Sequence, residues 1–186
     1  MDARVSRLGR RDHSLLLIVD VQERLLPAIA EAEAVVAACA TLIDGAGLFG
    51  IPVIACEQNP KGLGPTAAAL QARLHGVEVF EKLTFSAFAD PAVRACIEAV
   101  PDRSIVLCGL EAHVCVLQTA LDLHATGREV FVAADAVGSR TARNRDLALP
   151  RLRQSGVQVV SVEMLLFEWA GAAGTDAFRA MSRLIR

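Results

Sequence analysis

Six short apolar runs recur along this 186-residue chain, each followed by a stretch of helical periodicity, and that alternation constrains the fold more than any other feature. The runs are Ser14–Asp20, Pro52–Glu57, Val77–Phe80, Ser104–Cys108, Glu129–Ala134 and Val157–Ser161. They are apolar almost throughout, the pattern of strands buried on both faces. Between them, Ala32–Leu48, Thr66–Leu74, Pro91–Val100, Val114–Thr126 and Thr141–Gln154 read as helices, with two more near Val162–Trp169 and Thr175–Leu184. Asp90-Pro91 supplies an N-cap and first-turn pair. Pro150 stands inside a helical pattern, which predicts a kink or an early end there. The alternation predicts an α/β chain whose parallel sheet is covered by helices on both sides. One domain is expected over residues 13–186, preceded by a flexible arm at 1–12.

Charge narrows the partners. Nineteen Lys and Arg against 21 Asp and Glu leave a formal charge of −2, without Tyr and with one Trp, so the chain lacks the basic, aromatic-rich stripe of a nucleic-acid binder. The longest apolar stretch, Ala34 to Ile43, contains Thr41 and is too short to span a bilayer. Met1 to Arg11 is mixed in charge and has no apolar core of a signal peptide. Five cysteines, an odd number without a C-x-x-C pair, read as reduced thiols of a cytoplasmic protein. Cys39, Cys56, Cys96 and Cys108 lie inside apolar strands or helical patterns and read as small buried hydrophobes.

Three residues stand where strands run out. Asp20 closes Leu15-Leu16-Leu17-Ile18-Val19, Lys82 follows Val77–Glu81, and Cys115 follows Ser104–Cys108 and opens a helical stretch. Ligand crevices of open parallel sheets lie beyond the carboxyl ends of the strands. A thiol at a helix N-terminus faces unpaired N–H groups and the positive end of the dipole, both favouring thiolate, and a lysine beside it adds to that effect. Each residue also has a plain reading: Asp20 as a helix cap, Lys82 as a solvated lysine, Cys115 as a buried first-turn cysteine. His113 is two residues from Cys115 and so on a different helical face, which suits a capping or pocket-lining role better than a Cys–His pair. A zinc site on His113 and Cys115 finds no spaced partners. Gly45-Ala-Gly-Leu-Phe-Gly50 matches G-x-G-x-x-G by letter, but it ends a helix instead of opening one, so it reads as helix termination and not as a dinucleotide site.

Taken together, Asp20 in I-V-D-V-Q, Lys82 in E-K-x-x-F-S-A-F and Cys115 in G-L-E-A-H-V-C-V resemble the three-part signature of isochorismatase-like cysteine hydrolases. The resemblance runs from about Ser14 to Val160 and includes Asp135-Ala-Val-Gly-Ser-Arg140. It implies a Rossmann-like three-layer αβα sandwich with a six-stranded parallel sheet of order 3-2-1-4-5-6. It also implies a catalytic triad of Asp20, Lys82 and Cys115, with Cys115 attacking a carbonyl and Asp20 taking its proton. A non-proline cis bond between Leu110 and Glu111 is implied too, with an oxyanion hole from the backbone N–H groups of Glu111 and Cys115. Gln22, Gln58, Phe85 and His113 are the expected substrate-pocket residues, and a homo-oligomer is expected. Nicotinamidases of this family bind a metal through histidines after the second strand. Here that segment reads Cys56-Glu-Gln-Asn-Pro-Lys-Gly-Leu-Gly-Pro65 and has no histidine, so no metal or organic cofactor is expected. Isochorismatases that cleave a vinyl ether lack the nucleophilic cysteine, which Cys115 argues against. The sequence thus points to a hydrolase acting on a small amide or related acyl C–N bond. The rival readings are a silent or thiol-regulatory protein on the same fold and an oxidoreductase using Gly45–Gly50.

Overall fold

The computed structural model describes residues 8–185. Its strands are β1 (Ser14–Val19), β2 (Val53–Gln58), β3 (Glu78–Lys82), β4 (Ser104–Leu110), β5 (Val130–Gly138) and β6 (Gln158–Val160). They form one parallel sheet in the order β3-β2-β1-β4-β5-β6, as the resemblance implied. The helices are α1 (Ala32–Phe49), α2 (Pro60–Leu63), α3 (Ala68–Gln71), α4 (Pro91–Glu98), α5 (Leu117–Ala125), α6 (Ala142–Gln154), α7 (Val162–Ala170) and α8 (Asp176–Leu184). A single π-helical turn, Ala112–Val116, leads into α5.

The two faces of β1 explain why its sequence is continuously apolar. Leu16 and Ile18 pack with Cys39 and Leu42 of α1, Leu165 and Trp169 of α7 and Met181 of α8. Leu15, Leu17 and Val19 pack on the other side with Val93 of α4, Leu117 and Leu123 of α5 and Leu152 of α6. Successive side chains of a strand point to opposite faces, so a central strand between two helical layers has no solvent side. Burial of each such aliphatic side chain contributes about 1.5–3 kcal/mol. At the edge, β3 is mostly exposed and carries Glu78 and Glu81, charges that discourage pairing with another chain.

Several local expectations change. The helix expected at Thr66–Leu74 is only α3, because Thr66 is engaged elsewhere: it bridges Gln22, and its N–H and Oγ1 both donate to Glu57 Oε1. The turn α2, started by Pro60, had no periodicity to announce it. Pro150 does not end the pattern early, since α6 continues to Gln154. Ala148 and Leu152 anchor that helix in the core, while Asp146, whose carbonyl Pro150 leaves without a donor, is exposed and open to water. Gly50 ends α1 with φ 67°, its N–H reaching Ala46 O and Gly47 O, in line with the helix-termination reading. Asp90 caps α4 as expected, accepting from the N–H groups of Ala92 and Val93.

At 18 residues with mean hydropathy 1.6, α1 is longer than the apolar stretch read from sequence and meets the length for crossing a bilayer. It sits instead against the sheet, with Val35, Cys39, Leu42, Ile43 and Ala46 buried. Residues 1–7 of the expected arm lie outside the described residues. Its remainder is packed: Gly9 is buried and its N–H donates to Glu168 Oε2 at 2.6 Å.

Candidate active site

β1 and β4 are neighbours although three crossovers separate their positions in sequence, which makes their carboxyl ends the switch point of the sheet. Val19 pairs with Gly109, and a Cβ on Gly109 would lie 2.0 Å from Val19 O. Gly109 also has φ 118°, so both space and conformation demand glycine where the two strands close on each other. Directly beyond Val19, Asp20 turns the chain with φ 52°, a left-handed conformation that Asp tolerates better than most residues. Its N–H donates to Cys56 O of β2 at 3.0 Å. β4 extends through Gly109 and Leu110, the Leu110–Glu111 peptide is cis, and the π-helical turn carries Cys115 back over the end of the sheet.

These elements bring Asp20, Lys82 and Cys115 together. Lys82 is the last residue of β3, not the first after it, and its ammonium is closed to solvent. Nζ donates to Asp20 Oδ2 at 2.7 Å, Gln58 Oε1 at 2.8 Å, Thr84 O at 3.2 Å and Phe85 O at 3.3 Å. The solvated-lysine reading therefore fails. A buried ion pair persists only when its remaining hydrogen-bonding capacity is met, and here it is. The Cys115 thiol stands beside the same Asp20 carboxylate, whose charge acts on it together with Lys82 and the Glu111 N–H.

The thiol is not a preformed thiolate, contrary to the expectation from its place at a helix start. Burial first, then the anionic Asp20 beside it, push the Cys115 thiol up to about 12, outweighing Lys82 and the Glu111 N–H, which pull it down. Lys82 is already neutralised by Asp20, so its field at the sulfur is largely cancelled. Burial likewise raises Asp20 above the ordinary carboxylate range, opposed by the charge and hydrogen bond of Lys82 and by the two thiols that donate to it. The arrangement is thus a protonated thiol hydrogen-bonded to a carboxylate of heightened basicity.

The expected pocket residues divide. Phe85 is exposed beside Lys82, its carbonyl held by the ammonium. Gln58 is half-buried and links Lys82 to Leu83 O. His113 is partly exposed, its Nδ1 3.0 Å from Ser139 Oγ and its Nε2 3.2 Å from Asn144 Nδ2. Gln22 is a correction: it is fully buried, and its amide is committed to the backbone, donating to Gln58 O and Gly64 O and accepting from Gln58 N. It braces the loop after β2 and has no polar atom left for a substrate.

Three further groups carry parts that sequence reasoning did not assign. Cys56, read as a buried hydrophobe, has its sulfur 3.3 Å from Asp20 Oδ1. Arg140 binds the Glu111 carboxylate, Nε to Oε1 at 2.9 Å, and so fixes the start of the π-helical turn. Ser86 is buried with its hydroxyl unpaired. It lies between Phe85, whose carbonyl meets Lys82, and Ala87, whose N–H donates to Thr119 one turn beyond Cys115. A hollow of about 500 Å³ lined by Asn59, Glu81, Lys82, Leu83 and Thr84 flanks the outer side of this loop. A larger one, about 680 Å³, lies at the opposite end of the sheet beside Ser104 and Glu129, away from Asp20, Lys82 and Cys115. Among the described residues, no group of three or more His, Cys, Asp or Glu side chains is placed to hold a metal ion.

Comparison with known proteins agrees with this geometry. The secreted isochorismatase effector Isc1 of Phytophthora sojae is 38% identical over 192 residues, covering 100% of this chain and 91% of its own length. The MAR1 ribonuclease of Caenorhabditis elegans superposes with a TM-score of 0.89 at 33% identity, over 95% of this chain and 91% of that one. The YcaC product of Escherichia coli, an octameric hydrolase of unknown specificity, shares the fold with a TM-score of 0.90 at 21% identity, over 98% of this chain and 92% of that one. A family model, the isochorismatase domain, matches residues 14–164, from the first residue of β1 into α7. With that match, and with the sheet order its signature implied, the chain belongs to the isochorismatase family and has its hydrolase fold.

Proposed function

We propose that the protein is a cysteine hydrolase that cleaves a small amide or related acyl C–N bond through Cys115, Asp20 and Lys82, without metal or organic cofactor. The observation that carries this reading is the shared carboxylate: Asp20 holds the Lys82 ammonium at 2.7 Å, both closed to solvent, and the same carboxylate acts on the Cys115 thiol beside it. Cys115 Sγ attacks the carbonyl carbon as its proton passes to Asp20, so a free thiolate need not accumulate. The backbone N–H groups of Glu111 and Cys115 receive the oxyanion. Asp20 returns the proton to the leaving nitrogen, the C–N bond breaks, and a thioester remains. Water, deprotonated by Asp20, then releases the acid and restores the thiol. Lys82 keeps Asp20 ionised between these steps and anchors the loop carrying Phe85. Ser86, with an unused buried hydroxyl, is available to a polar group of the substrate.

Five free cysteines support placement in the cytoplasm, and the octameric YcaC supports a homo-oligomer. The test is ammonia or amine release by purified protein from a panel of small amides and ureido compounds, before and after exhaustive chelation. Release that survives chelation and vanishes in Cys115→Ser supports the reading. Release restored by one divalent ion, or turnover of RNA with no amide cleaved, replaces it. A wholly inactive protein whose Cys115 is readily and reversibly oxidised would instead be the thiol-regulatory alternative.

A further inference from the structure

Asp20 has one more donor than a two-residue partnership requires. Lys82 Nζ occupies Oδ2 at 2.7 Å, while the Cys56 sulfur stands 3.3 Å from Oδ1. The same sulfur lies 3.6 Å from Ile18 O, so its hydrogen has a choice between a neutral carbonyl and a nearer, charged oxygen. The charged acceptor forms the stronger bond. The backbone adds to this grip: Cys56 pairs with Val19 across the sheet, and Cys56 O accepts the Asp20 N–H. Because Asp20 stands at a left-handed bend with no strand neighbour beyond it, its carboxylate is aimed by these contacts and not by the ladder.

We propose that Cys56 is a positioning residue, whose thiol holds Oδ1 of Asp20 and fixes the carboxylate between Lys82 and Cys115. It is closed to solvent, at 1% exposure, and therefore touches no substrate. Burial and the neighbouring Asp20 keep it protonated, which preserves it as a donor throughout the cycle. An S–H group is a weak donor, so it aligns the carboxylate and lowers its basicity modestly without withdrawing it from proton transfer. The titratable groups that face Asp20 are Lys82 from β3, Cys56 from β2 and Cys115 from the π-helical turn. This role rests on the assignment of Asp20 as proton acceptor for Cys115.

Cys56→Val fills the strand position without a donor, Cys56→Ala leaves it empty, and Cys56→Ser keeps a hydroxyl donor. Two readouts apply to each, with folding checked by thermal melting. One is the titration of the Asp20 carboxyl, followed by carbon-13 NMR in aspartate-labelled protein. The other is the pH dependence of Cys115 alkylation by iodoacetamide, located by peptide mass mapping. The expected result for Cys56→Val or Cys56→Ala is an Asp20 titration moved up by about 0.5–1 pH unit, with an altered alkylation profile. On any amide that proves to be a substrate, kcat should fall roughly tenfold with KM unchanged. Cys56→Ser should return both profiles close to wild type. An Asp20 titration in the Val and Ala variants that superposes on wild type overturns the proposal, as does failure of Ser to differ from Val. If Cys115 of the wild type resists alkylation at every pH, the nucleophile assignment fails, whereas the carboxyl titration still decides whether Cys56 holds Asp20.

Discussion

Lys82 Nζ lies 2.7 Å from Asp20 Oδ2 with both side chains closed to solvent, and the same ammonium holds the carbonyls of Thr84 and Phe85. Removing either charge therefore acts on the fold, on the partner charge and on the loop at once. Lys82→Met leaves Asp20 buried and uncompensated, which should lower stability by about 3–5 kcal/mol. It should also move the alkylation profile of Cys115 further to high pH, since Lys82 pulls both Asp20 and the thiol down. Asp20→Asn should abolish turnover while the protein stays folded. Because the groups act as a unit, the double variant should be hardly slower than either single one. Rate losses that multiply, together with an unshifted alkylation profile, would contradict this.

Substitution of the thiol separates chemistry from packing. Cys115→Ser should reduce kcat by roughly 10³-fold or more, and Cys96→Ser, on a partly exposed helical position, should leave it near wild type. Steady-state rates on any amide found in the panel decide it, and equal losses from both variants would point to thiol damage in general.

Alkaline stability carries the mark of the raised thiol. Cys115 titrates near 12 in the fold and near 9.0 when unfolded, so between those values the unfolded chain has lost a proton that the native chain keeps. Unfolding therefore becomes easier as pH rises: the contribution is complete below about 9 and is gone above about 12. Cys115→Ala should lose less stability than wild type across that interval, measured by denaturant unfolding at pH 8, 9 and 10. Parallel curves for the two proteins would mean that Cys115 titrates normally.

Gly109 should tolerate no side chain. With a Cβ 2.0 Å from Val19 O and φ at 118°, Gly109→Ala should cost about 3 kcal/mol or more, read as a fall in melting temperature. Any folded remainder should show poor Cys115 alkylation, because the β1–β4 junction sets the distance from Asp20 to the π-helical turn.

Much of this was legible because it depends on local pattern. Continuous apolar runs announced strands buried twice over, and strand ends announced where Asp20, Lys82 and Cys115 meet. Cys56 was not legible, because in sequence it is one more small residue in the apolar strand Val53-Ile54-Ala55-Cys56. Its contact with Asp20 comes from register, which places it opposite Val19 and one step from Asp20, and register is a long-range property. Gln22 misled for the same reason. It was expected in the pocket, but the loop returning through Gln58 and Gly64 takes up its amide. The thiol's protonation followed from burial and from Asp20, neither of which a helix-start argument contains. Pro150 shows tertiary anchoring by Ala148 and Leu152 overriding a local breaker.

The ammonium that binds Thr84 O and Phe85 O is also the one seated on Asp20, so the surface loop and the buried carboxylate share a single tether. Nζ joins four acceptors drawn from the end of β1, from β2 and from the loop after β3, so the carboxyl ends of three neighbouring strands are pinned by one atom.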